Sequence, residues 1–131
     1  MILVVDDEPM IRRVLELQLK HFGYRVALAA GGPEGLALFR ALGEQVALVL
    51  LDVHMPGMSG PTTLAALRQI DPGVPCWFMS GFPAGILQGP SPNGGGEGSA
   101  HPVDVGASEV LDKPFRMERL EALLRATLGP P

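Results

Sequence analysis

Apolar residues along this 131-residue chain follow two alternating rhythms. Short continuous runs, Ile2–Val5, Arg25–Ala29, Val46–Leu51, Val74–Met79 and the brief Glu109–Leu111, read as parallel strands buried on both faces. Between them the spacing changes to that of helices. Ile11, Val14, Leu15, Leu19 and Phe22 repeat every three or four residues and stop at Gly23. Leu36, Phe39 and Leu42 do the same between Pro33 and Gly43, and Leu64, Leu67 and Ile70 follow Pro61. Met117, Leu120, Leu123, Leu124 and Leu128 form a last amphipathic pattern before Gly129. Strand and helix alternate, which predicts a doubly wound α/β sheet.

One stretch breaks the alternation. Residues 81–106 hold eight glycines and four prolines without any period, and Ser91-Pro92-Asn93-Gly94-Gly95-Gly96 offers no apolar side chain to anchor it. A fourth helix is due here. At most short turns near 83–87 and 103–105 are expected, so the helix is predicted to be shortened or replaced by a Gly/Pro-rich loop. A tolerated surface insertion without function is the ordinary explanation of this composition.

Composition narrows the class. With 47% hydrophobic residues the chain has enough apolar material for one core, which predicts a single domain over 1–128, with 129–131 as a tail or linker stub. A net charge of −4 and a pI near 5.2 argue against nucleic acid as a partner, since phosphates call for clustered Lys and Arg. Apolar stretches are too short for a bilayer, so no membrane association is expected. The lone Cys76 lies inside an apolar run and reads as a small buried hydrophobe; with no basic leader after Met1, a cytoplasmic location is expected.

The candidate chemistry sits where the first strand ends, at Asp6-Asp7-Glu8. Carboxylates about 4 Å apart repel by about 4 kcal/mol at an effective dielectric near 20, a large part of a domain's stability. A hard divalent cation such as Mg²⁺ relieves that repulsion and takes carboxylate oxygens readily. The same three acids also suit the solvent-facing start of a helix with Pro9 in its first turn. In an open parallel sheet, ligands bind beyond the carboxyl ends of the strands, which adds Asp52, Ser80 and Lys113 as strand-end candidates. Each alone has an ordinary reading as a turn cap or a solvated charge. Together, at the same end of their strands, they form a constellation.

Four segments in order, Val4-Val5-Asp6-Asp7-Glu8, Leu50-Leu51-Asp52-Val53-His54-Met55-Pro56-Gly57-Met58-Ser59-Gly60, Phe78-Met79-Ser80-Gly81 and Lys113-Pro114-Phe115, resemble the receiver domains (CheY-like) of two-component response regulators. The resemblance implies a flavodoxin-like five-stranded sheet of order 2-1-3-4-5. It implies that Asp52 accepts a phosphoryl group from a histidine kinase or histidine phosphotransfer protein, switching a surface for a downstream protein target. It further implies Mg²⁺, with Mn²⁺ as substitute, held by Asp7, Asp52 and the His54 backbone carbonyl, with Asp6 acting through water. Lys113 and Ser80 are expected to meet phosphate oxygens. The chemistry is consistent: a carboxylate is a competent nucleophile toward phosphorus, and such transfer is catalysed mainly by positioning and charge. The chain would then be a switch rather than a metabolic enzyme, catalysing only its own phosphorylation and slow dephosphorylation.

This sequence departs from the family at Val110, where a Phe or Tyr usually stands three residues before the Lys. The resemblance therefore suggests output through residues 81–104 instead of an aromatic rotamer change. His54 and Phe82 flank the expected path of attacking water and are candidates for tuning the acyl phosphate's lifetime. Haloacid dehalogenase-like phosphatases also phosphorylate a strand-end Asp, but need an acid where His54 stands. A flavodoxin's phosphate loop would be repelled by Asp6, Asp7 and Glu8. A receiver fold that docks partners without phosphorylation is the remaining alternative.

Overall fold

The computed structural model describes residues 1–80, 109–112 and 117–129. The element order is β1 (Ile2–Val5), α1 (Pro9–His21), β2 (Val26–Ala29), α2 (Gly32–Leu42), β3 (Leu48–Asp52), α3 (Gly60–Ile70), β4 (Cys76–Ser80), β5 (Glu109–Asp112) and α4 (Met117–Leu128). All strands run parallel in the order β2-β1-β3-β4-β5, as the resemblance implied. The expected Gly/Pro-rich excursion lies outside the described residues.

Helices clothe both faces. Alternate strand residues point to opposite sides, so Leu3, Val5, Val49, Leu51, Cys76 and Phe78 pack under α2 and α3 through Leu36, Phe39, Leu64 and Leu67. Their neighbours Ile2, Val4, Leu48, Leu50, Trp77 and Met79 pack under α1 and α4 through Leu15, Leu19, Leu120 and Leu124. Cys76 is buried among these hydrophobes, as expected.

Two strands start later than their apolar runs suggest. Val46 gives its N–H to Gly43 O (3.2 Å) in a short 3-10 turn over Gly43–Gln45, which leaves β3 to begin at Leu48. Val74 gives its N–H to Asp71 O (3.3 Å), and Pro75 has none to give, so β4 begins at Cys76. Both strands then extend one residue further than expected, ending on Asp52 and Ser80. Two of the periodic apolar residues also face solvent: Val14 on α1 and Ile70 at the end of α3 are about two-fifths exposed, at 41% and 39%. Spacing alone does not separate the centre of a helix's apolar stripe from its edge.

Candidate functional site

Sheet register builds the site. Val5 pairs with Leu51 in the β1–β3 ladder, so the next residue of each strand, Asp6 and Asp52, emerge side by side at the carboxyl edge. Asp7 follows on the turn into α1. Carboxylate oxygens of Asp6, Asp7 and Asp52 lie within 4.8 Å of one another. Asp6 and Asp52 are buried and Asp7 is half-buried.

Each buried acid is held by its own turn. Oδ1 of Asp6 accepts the Glu8 N–H (2.8 Å), and Oδ1 of Asp52 accepts the His54 N–H (3.3 Å). In both, a carboxylate caps an amide two residues on, which folds the chain away from the strand and sets the side chain's direction. Glu8 becomes the N-cap of α1 and makes no side-chain cap bond, in keeping with a plain helix-start acid. Pro9 occupies the first turn, where no N–H is missed.

The loop after β3 is braced from two sides. Val53 gives its N–H to Met79 O (3.0 Å) and its carbonyl accepts the Gly60 N–H (2.9 Å). A Cβ on Gly60 would run into the Asp52 carbonyl and come within 2.8 Å of Val53 Cα, so only glycine lets α3 start this close behind Asp52. Gly57, at φ +83°, supplies the left-handed residue that the loop needs to turn back. Ser59 caps α3, its Oγ accepting the Thr62 N–H (3.3 Å).

The structure therefore brings together Asp6, Asp7, Asp52 and the His54 backbone; the His54 side chain is exposed. Ser80 ends β4, one residue beyond the Met79 that pairs with Asp52, and is itself paired with Asp112 of β5. Lys113 and Phe82 lie outside the described residues. Arg12 was not among the expected site residues, yet its Nη1 donates to the Asp6 carbonyl at 2.7 Å. The available hint was its position one helical turn after the acids.

All three clustered groups are hard, anionic oxygen donors, which suits Mg²⁺ or Mn²⁺ and not a soft metal. At their mutual distance each pair of charges repels by about 3 to 4 kcal/mol at an effective dielectric of 20. The donor set fits the ion that the family resemblance implies.

Comparison with known proteins assigns the class. The sequence profile of the response regulator receiver domain matches residues 2–85, and the chain belongs to that family. It is 37% identical, over 97% of its length, to YkoG, an uncharacterized transcriptional regulatory protein of Bacillus subtilis, covering 50% of that protein. It is 32% identical, over 96% of its length, to TcrX, a probable transcriptional regulatory protein of Mycobacterium tuberculosis, again covering 50%. The chain thus spans about half the length of the curated relatives it matches. Among solved structures it is similar to the Vibrio cholerae chemotaxis protein CheY4, with a TM-score of 0.76 at 29% identity and 96% of each chain covered. It is similar also to the receiver domain of NtrX from Brucella abortus, with a TM-score of 0.78 at 26% identity and 100% of each chain covered. The protein is a receiver domain of the two-component kind, a signalling-switch family. No helix among the described residues is long and apolar enough to cross a membrane.

Proposed function

We propose that residues 1–128 form one receiver domain in which Asp52 accepts a phosphoryl group from a phosphohistidine on a kinase or phosphotransfer protein. The observation that carries this reading is the gathering of Asp6, Asp7 and Asp52 at the carboxyl edge, with Asp52 directed by the His54 amide. A carboxylate oxygen of Asp52 attacks phosphorus, the phosphorus–nitrogen bond breaks, and the imidazole leaves with its electron pair and takes up a proton. The product is an acyl phosphate on Asp52.

The residues that would hold Mg²⁺, or Mn²⁺ in its place, are Asp7, Asp52 and the His54 backbone carbonyl, with Asp6 through water. When bound, the ion supplies positive charge where the phosphoryl oxygens would otherwise face three carboxylates. The chain's own contribution is geometric: the paired turns at Asp6 and Asp52 and the Gly60 brace fix the acceptor before the donor arrives. Ser80 and Lys113 are assigned to phosphate oxygens by the family resemblance, in keeping with their place at the ends of β4 and β5 in sequence. Phosphorylation then alters a surface read by a downstream protein. The transcriptional regulators among its relatives suggest an output of that class.

Incubation with acetyl phosphate and Mg²⁺, followed by intact mass, tests this. One added phosphoryl is expected, lost in Asp52→Asn and on chelation of the metal. No added mass, or addition that survives in Asp52→Asn, overturns the assignment; the first result leaves a docking module that works without phosphorylation.

A further inference from the structure

We propose that Arg12 is a positioning residue for the acidic site: it holds the turn that presents Asp6 and Asp7, although its charge alone opposes cation binding. The inference rests on the reading of Asp6, Asp7 and Asp52 as the divalent-cation site. Among the described residues, four hydrogen bonds frame the turn. Asp6 gives its N–H to Ala29 O (3.1 Å), Asp6 Oδ1 accepts the Glu8 N–H (2.8 Å), the Glu8 carbonyl accepts the Arg12 N–H (3.1 Å), and the Asp6 carbonyl accepts Arg12 Nη1 (2.7 Å). Arg12 supplies two of the four, one from its backbone and one from its side chain.

The side-chain bond is the one that closes the frame. It is short and charge-assisted, and it spans six residues from the helix back to the strand end. Asp7 lies in sequence between the two carbonyls that Arg12 grips, so the clamp holds the stretch of backbone from which its carboxylate projects. Arg12 is half-buried, and so is this bond. Its neighbour Arg13 is used differently: it is exposed and pairs with Glu16 at 3.2 Å, away from the turn.

Two effects of opposite sign follow. Coulomb's law says that removing a cation next to a cation site tightens Mg²⁺ binding. Loss of positioning says that it weakens, because residues that orient ligands typically contribute about tenfold or more to metal affinity. The sign of the change therefore identifies the role.

The test uses three variants. Arg12→Met keeps an apolar stem and removes donor and charge, Arg12→Lys keeps the charge and one donor group, and Arg13→Met removes the adjacent charge with its Glu16 pair but no bond to the turn. Mg²⁺ alone is titrated into each protein and followed by amide chemical shifts, and hydrogen exchange at the Glu8 amide is measured without metal. Arg12→Met is expected to weaken Mg²⁺ binding about tenfold and to speed Glu8 exchange in the metal-free protein. Arg12→Lys should recover part of both, and Arg13→Met should change neither. Arg12→Met binding Mg²⁺ as tightly as the parent, or more tightly, overturns the proposal. A flat titration of the parent protein instead sinks the metal-site reading on which it rests, while unchanged Glu8 exchange counts against Arg12 separately.

Discussion

The layer of α2 and α3 and the layer of α1 and α4 cover the same sheet by different means. The first relies on close backbone approach. Gly35 brings α2 against Val5, Gly32 brings it against Thr63 and Met58, and Gly60 sets α3 on the Asp52–Val53 backbone. The second has no glycine in either helix and fills its space with Leu15, Leu19, Leu120, Leu124 and Trp77. It also leaves Met10, Val14 and Leu17 exposed along α1. The tightly packed layer thus stands behind Asp52, while the side-chain-packed layer carries the acidic turn. Rigidity behind Asp52 comes from missing side chains, and order at Asp6 and Asp7 comes from one long one, Arg12.

Phe39, nearly fully buried in the α2/α3 layer, offers the largest break. Phe39→Ala is expected to remove about 3–5 kcal/mol, measured by urea unfolding. A loss below about 1 kcal/mol would mean that this layer collapses to fill the gap and is not tightly packed.

Gly35→Ala is the next largest and carries a sign. In an exposed helix the change would stabilise by up to about 1 kcal/mol. Here the new methyl would lie 2.9 Å from Cγ2 of the buried, branched Val5, so a loss of about 1–3 kcal/mol is expected. A gain in stability would show that α2 shifts freely on the sheet.

Cys76 and Trp77 are neighbours on β4 that face opposite layers. Burial pushes the Cys76 thiol up to about 12, with Arg68 opposing, against an ordinary value of 9.0. Between those values the unfolded chain ionises the thiol while the folded chain keeps its proton, so the unfolded state binds fewer protons and stability falls as pH rises. The slope from this thiol is about 1.4 kcal/mol per pH unit. Comparison of the parent with Cys76→Ala at pH 8 and above pH 10 isolates it. A stability difference independent of pH would show a thiol open to water, as would rapid alkylation of the native protein at pH 8.

The smallest effect sharpens the contrast from the other side. Met10→Gln and Leu17→Gln alter side chains that are 76% and 54% exposed, and should change stability by no more than about 0.5 kcal/mol each. A larger loss by thermal unfolding would mean that α1 uses these residues for packing.

Much of the site was legible before folding because its acids interrupt apolar runs. Asp6 and Asp52 stand where strand-forming residues stop, and a parallel sheet places all such stops at one edge. Less legible were the strand boundaries, since the N–H groups of Val46 and Val74 are taken by local turns. The exposure of Val14 was hidden too, because a helical repeat has the same spacing wherever the neighbouring elements fall on it.

By itself the sequence determined local matters: alternating elements, polar residues at strand ends, Pro9 in a helix's first turn, and a set of hard oxygen donors. These follow from short-range sterics and hydrophobicity, which neighbouring residues settle among themselves. Tertiary structure alone decided that Asp6 meets Asp52, because that requires the β1–β3 register of Val5 on Leu51. It also decided that Gly60 must stay bare behind Asp52 and that Arg12, not Arg13, reaches the Asp6 carbonyl. Each depends on the distance and rotation between packed elements, which no local pattern encodes.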